Sequence, residues 1–185
     1  MPSRTMPDVL RSFRESHPRV SLEVTCDLTL NLLDRFAAGE FDLVLIKREP
    51  QGPGGGLRVW REPLVWAAID HTILREDEQV PLVVSPHPCV YRKRATTALD
   101  RAGLRWRIAY TSTSLAGAQA AVRAGLGISI LPREMVPHGF IALDDKDALP
   151  ALDDMEVALM SAPGTTAPPV ARLSEHIVRS LERAH

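Results

Sequence analysis

Short apolar runs alternating with helix-like patterns constrain this 185-residue chain more than any other feature of it. The runs "FDLVLI", residues 41–46, and "PLVVS", residues 81–85, are short for helices and lack the polar alternation of a strand with one wet face. They fit parallel strands covered on both faces, which need helical crossovers. Helical patterns stand where crossovers are needed. Thr5, Pro7 and Asp8 mark a helix start, with Met6, Val9, Leu10 and Phe13 on one face and His17-Pro18 at the end. A second helix begins at Thr29 as its cap, carries Leu32, Leu33 and Phe36, and stops at Gly39. A third carries Ala95, Ala98, Leu99 and Ala102, and Gly103 closes it before the strand "WRIAY", residues 106–110. Ser114 caps a fourth, and Gly125 and Gly127 turn it into the strand "ISILP", residues 128–132.

Other segments read as strands by alternation: "VSLEVTC" at 20–26, "LRVWREPLVWAA" at 57–68, "FIALDD" at 140–145 and "MEVALMS" at 155–161. Pro63 marks an edge, a bulge or a bend where the chain can change lobe. The stretch "KREPQGPGGG" at 47–56 is a loop, because its glycines and prolines sustain neither helix nor central strand. A last helix starts near Pro168-Pro169 and lays Val170, Leu173, Ile177, Val178 and Leu181 on one stripe.

Charge divides the chain unevenly. Residues 81–140 hold eight of the 22 Lys and Arg but only two, Asp100 and Glu134, of the 23 Asp and Glu. A basic middle between acidic ends fits two lobes of opposite field, with an anionic ligand near the middle one or a plain solvated surface as the readings. Catalytic signatures are missing: the chain contains no HExxH, GxSxG or GxxxxGK[ST], and the glycines around Gly125 lack dinucleotide-site order. His87 beside Cys89 has no orienting third group in the sequence, and Asp144, Asp145 and Asp147 lack calcium-loop spacing. Cys26 and Cys89 have no metal-ligand spacing. No enzyme, cofactor or metal is therefore expected. No apolar run is long enough to span a membrane and the N-terminus has no secretory pattern, so the cytoplasm is expected.

Binding fits better. Parallel strands that feed helices leave amides and hydroxyls at their carboxyl ends, where a small anion can sit. Hydroxyls cluster at such ends: Ser3 and Thr5, Thr29, and "TSTS" from Thr111 to Ser114. Each alone is explained as a helix cap; together, from both halves of the chain, they point to a crevice.

The stretches "MPDVLRSFRESHPRVSLEV", "LLDRFAAGEFDLVLI", "WREPLVWAA", "CVYRKRATTALDRAG" and "RIAYTSTSLAGAQAAVRAGLGISILP" occur in an order that resembles the effector-binding domain of LysR-type transcriptional regulators. The resemblance implies a two-lobed α/β fold of the type-two periplasmic-binding-protein kind, with a small-molecule effector in a central cleft. The first lobe would comprise residues 1–62 and 140–185, and the second residues 63–139. Ser3, Thr5, Thr29, Tyr91, Arg92, Ser112 and Ser114 would line the cleft, with Arg92 offering a carboxylate its bidentate fork. The resemblance also implies a homodimer and DNA contact only through an N-terminal helix-turn-helix. Nothing in the sequence supplies that element, so a fragment or truncated product is expected. The apolar first strand of such domains is likewise not found in "MPSRT". A solute-binding protein of a transport system is the alternative on the same fold.

Overall fold

The computed structural model describes residues 5–50, 56–74, 79–164 and 167–182. In chain order its elements are α1 (Met6–Ser16), α2 (Thr29–Ala37), β1 (Leu43–Arg48), β2 (Leu57–Glu62), β3 (Leu64–Ala68), β4 (Val80–Val84), α3 (Val90–Arg101), β5 (Trp106–Thr111), α4 (Leu115–Arg123), β6 (Ser129–Pro132), β7 (Ile141–Leu143), β8 (Met155–Ser161) and α5 (Pro168–Glu182). They form two compact units, residues 1–61 with 156–185, and residues 62–155.

The first unit is built on a sheet of order β1–β8–β2. Successive β1 side chains point to opposite faces, and both faces are covered. Leu43 and Leu45 pack with Val9 of α1 and Ile177 and Leu181 of α5, whereas Val44 and Ile46 pack with Leu32, Leu33 and Phe36 of α2. The two-sided burial expected of "FDLVLI" therefore holds. Its pairing differs: β1 runs antiparallel to β8, with Leu45 opposite Leu159. A returning strand from the far end of the chain takes the neighbouring position. Residues 20–26, expected as a strand, form none, and Val24 is 58% exposed. Alternation supplies a face but no partner, and no strand among the described residues takes up this backbone.

In the second unit β3 is flanked by β6 and β7, both antiparallel to it. The strands β4 and β5 run parallel, as expected for "PLVVS" and "WRIAY". A parallel bridge between Leu82 and Ile128 links β4 to the approach of β6. Gly127 permits that approach, since a Cβ there would lie 2.5 Å from the Pro81 carbonyl oxygen. Trp66, Leu82, Leu99, Ile128 and Met155 centre the core, and the Trp66 indole N–H donates to the Pro150 carbonyl at 2.8 Å. Residues 140–155 were expected in the first lobe but lie in the second unit, because β7 pairs with β3 and Leu149 enters this core.

Candidate functional site

Two helices start where two parallel strands end. Because β4 and β5 run the same way, α3 and α4 both begin near the carboxyl edge of that pair. Helix N-termini present unsatisfied amides and positive dipole ends, so the edge is suited to an anion.

The sequence at this edge explains its order. Val84 O accepts from the Ser112 amide at 3.0 Å. The next carbonyl, that of Ser85, accepts from Arg92 Nη1 at 3.5 Å, the far limit of hydrogen-bond range. Arg92 and Ser112 are thus tethered to consecutive carbonyls of one strand end. Arg92 is partly buried, and among the described residues this contact takes up only one of its five donors.

Ser112 Oγ donates to Ser114 O at 3.0 Å and accepts from the Ser114 amide at 3.2 Å. Ser114, the N-cap of α4, accepts from the Gly117 amide at 3.0 Å through its Oγ. The Ser114 hydroxyl proton has no acceptor among the described residues, which leaves it to donate outward. Gly117 keeps the turn tight, since a Cβ there would approach Ser112 Oγ to 2.5 Å and Ser114 Oγ to 3.0 Å.

Tyr91 is placed differently from expectation in one respect: its hydroxyl donates to Glu62 Oε2 at 2.6 Å. Burial, reinforced by the neighbouring Glu62 charge, pushes the phenol well above its ordinary range, so it stays neutral and serves as a donor. Glu62 was not anticipated. Its signal was a carboxylate opening the apolar stretch "EPLVWAA", since a carboxylate drawn into a core requires a donor.

In the first unit Thr29 does not cap α2; Leu28 is the N-cap, and Thr29 Oγ1 accepts from the Lys47 amide of β1 at 3.4 Å. Thr5 is the N-cap of α1, and its hydroxyl donates to Asp8 Oδ2 at 2.6 Å. Ser3 lies outside the described residues. Arg92, Ser112 and Ser114 therefore all stand at the carboxyl ends of β4 and β5, while Thr5 is engaged by Asp8 and Thr29 by the Lys47 amide of β1.

The family described as LysR substrate binding domain matches residues 1–182. The chain belongs to this family. Among curated relatives, this LysR substrate-binding domain is 30% identical over 172 residues to the HTH-type transcriptional regulator DgdR of Burkholderia cepacia, covering 93% of the chain and 58% of DgdR. It is 30% identical over 159 residues to the HTH-type transcriptional regulator PecT of Dickeya dadantii, covering 85% of the chain and 50% of PecT. The LysR substrate-binding domain thus spans 58% and 50% of the length of these two relatives. Its fold is similar to the CcmR regulatory domain of Synechocystis PCC6803, solved in complex with 2-PG, at a TM-score of 0.76 and 16% identity, over 96% of this chain and 91% of that one. The expected class, the two-lobed periplasmic-binding-protein-like α/β fold, is the fold of this family's regulatory domains.

Proposed function

We propose that this LysR substrate-binding domain senses a small anionic effector and passes its occupancy to a DNA-reading domain, and so controls transcription in the cytoplasm. The observation that carries this reading is the tethering of Arg92 and Ser112 to consecutive carbonyls, with Ser114 bonded to Ser112 and its hydroxyl proton left to donate outward. A guanidinium fork, a hydroxyl donor and two helix starts make a receptor for a carboxylate. Tyr91 supports Arg92 from the adjacent position by anchoring the first turn of α3 on Glu62. Ser3, Thr5 and Thr29 remain part of the proposed set of effector-binding residues.

The reading gives the site a binding role, and relatives that are transcriptional regulators favour it over a transport solute-binding protein. Among the described residues no helix is long and apolar enough to cross a membrane. A homodimer is part of the proposal. Its support is a shallow depression of about 410 Å³ on α4 lined by Ala116, Gln119, Ala120, Arg123 and Ala124, close to the exposed Leu115 and Leu126. Small residues there let a second helix approach closely.

The test is calorimetric titration with a panel of small mono- and dicarboxylates. The reading expects at least one to bind saturably to the native chain, and Arg92→Gln to weaken it by about tenfold or more. Equal affinity in the Arg92→Gln variant overturns the assignment, as does a panel without any binder.

A further inference from the structure

The first unit contains an ion cluster separate from the edge just described. Glu156 is the second residue of β8, the middle strand of its sheet, and its side chain is only 4% exposed. Arg48, its cross-strand partner on β1, approaches Oε2 with Nε at 3.4 Å. From β2 on the other side, Arg58 Nη1 and Arg61 Nε approach Oε1 at 3.7 and 3.6 Å. Three guanidiniums thus face one carboxylate.

One buried negative charge balances one positive charge. Arg48 is the partner that shares its burial, with a side chain 19% exposed, whereas those of Arg58 and Arg61 are 56% and 55% exposed. The distances of these two exceed hydrogen-bond range, so their N–H donors are not consumed by Glu156. Two like charges are held near one carboxylate, with their donors open to solvent and to a ligand.

We propose that Arg58 and Arg61 form a binding site for a phosphoryl group, either inorganic phosphate or a small phosphate monoester. A carboxylate, with one charge and two oxygens, is satisfied by one fork; a dianion with three or more oxygens matches two forks and the surplus of charge. Two guanidiniums converging on one oxygen mark a point rather than a track, which fits a single phosphoryl group better than a nucleic-acid backbone. Arg61 is the last residue before the chain leaves the first unit and Glu156 the first after it returns.

The experiment is titration of the full chain with inorganic phosphate and with glycerol 3-phosphate, at an ionic strength held constant with sodium chloride. Saturable binding of either is expected, weakened about tenfold or more in R58Q/R61Q and unchanged in R92Q. The tighter of the two probes tells whether the free ion or the esterified group is held. The single variants R58Q and R61Q, each expected to lose part of the affinity, serve if circular dichroism shows the double variant unfolded. No saturable binding, or binding that survives removal of both arginines, overturns the proposal. Binding lost instead in R92Q also overturns it and moves the phosphoryl group to the edge of β4 and β5, leaving the carboxylate reading to its own titration.

Discussion

The Tyr91 hydroxyl donates to Glu62 Oε2 at 2.6 Å and thereby ties the start of α3 to the residue that ends β2. Glu62 is itself 7% exposed, so this donor bears on the burial of a charge as well as on the position of a helix.

Tyr91→Phe removes the donor without changing the ring. A cost of about 1–3 kcal/mol is expected in urea unfolding at neutral pH. The folded phenol is held above its ordinary value, so the contribution is fully present below that value and is lost as pH climbs past about 10 and on through the folded value. The native chain should therefore lose stability in that alkaline range, and the variant should lack this component of the loss.

Gly117→Ala tests the serine turn. Alanine favours the helix by about 1 kcal/mol, comparable to one lost hydroxyl hydrogen bond, so the melting temperature is expected to change little. The added methyl would drive Ser112 Oγ from its 2.5 Å approach and disturb Ser114, so carboxylate affinity should fall. Calorimetry and thermal melts of the same preparation separate the two effects.

Gly127→Ala meets backbone instead of a movable side chain. Its Cβ would lie 2.5 Å from Pro81 O and 3.0 Å from Pro81 C, beside the Ile128 amide that donates to the same oxygen at 2.8 Å. Neither strand can yield without losing its pairing, and a loss of about 1–3 kcal/mol is expected in denaturant unfolding.

Asp147 accepts from the Asp144 amide and contacts the His71 ring. The amide first, and His71 next, hold its carboxyl below the ordinary range. A depressed folded value means a contribution present above the ordinary carboxylate range and lost as pH falls through the folded one. Asp147→Asn should therefore melt earlier than the native chain at neutral pH, and the difference should shrink in acid scans.

Much of this architecture was legible in residue patterns. Period and punctuation located α1, α2, α3, α4 and α5, and Gly39, Gly103 and Gly125 take the positive φ that ends three of them. Ser114 caps α4 as its position ahead of an alanine-rich run implied. Pairing was less accessible: nothing local to "LVLI" reveals that its neighbour is residues 155–161, and nothing local to residues 20–26 reveals that no described strand runs alongside. At the candidate site, "TSTS" was visible as a hydroxyl cluster, but Glu62 and Ser85 enter through contacts across 29 and 7 positions of sequence. Thr29 was misplaced by one residue because Leu28 takes the N-cap conformation and leaves the hydroxyl to a strand.

The second unit is one uninterrupted segment, whereas the first is assembled from both sides of it. The middle strand of the first unit's sheet, β8, is also the last strand to be made. On the ribosome, residues 62–155 can close their own core while β1 and β2 still lack the strand between them. The earlier-made half must therefore wait, and a released chain ending at Met155 should carry a protease-resistant segment, residues 62–155, attached to an unfinished, protease-sensitive flank.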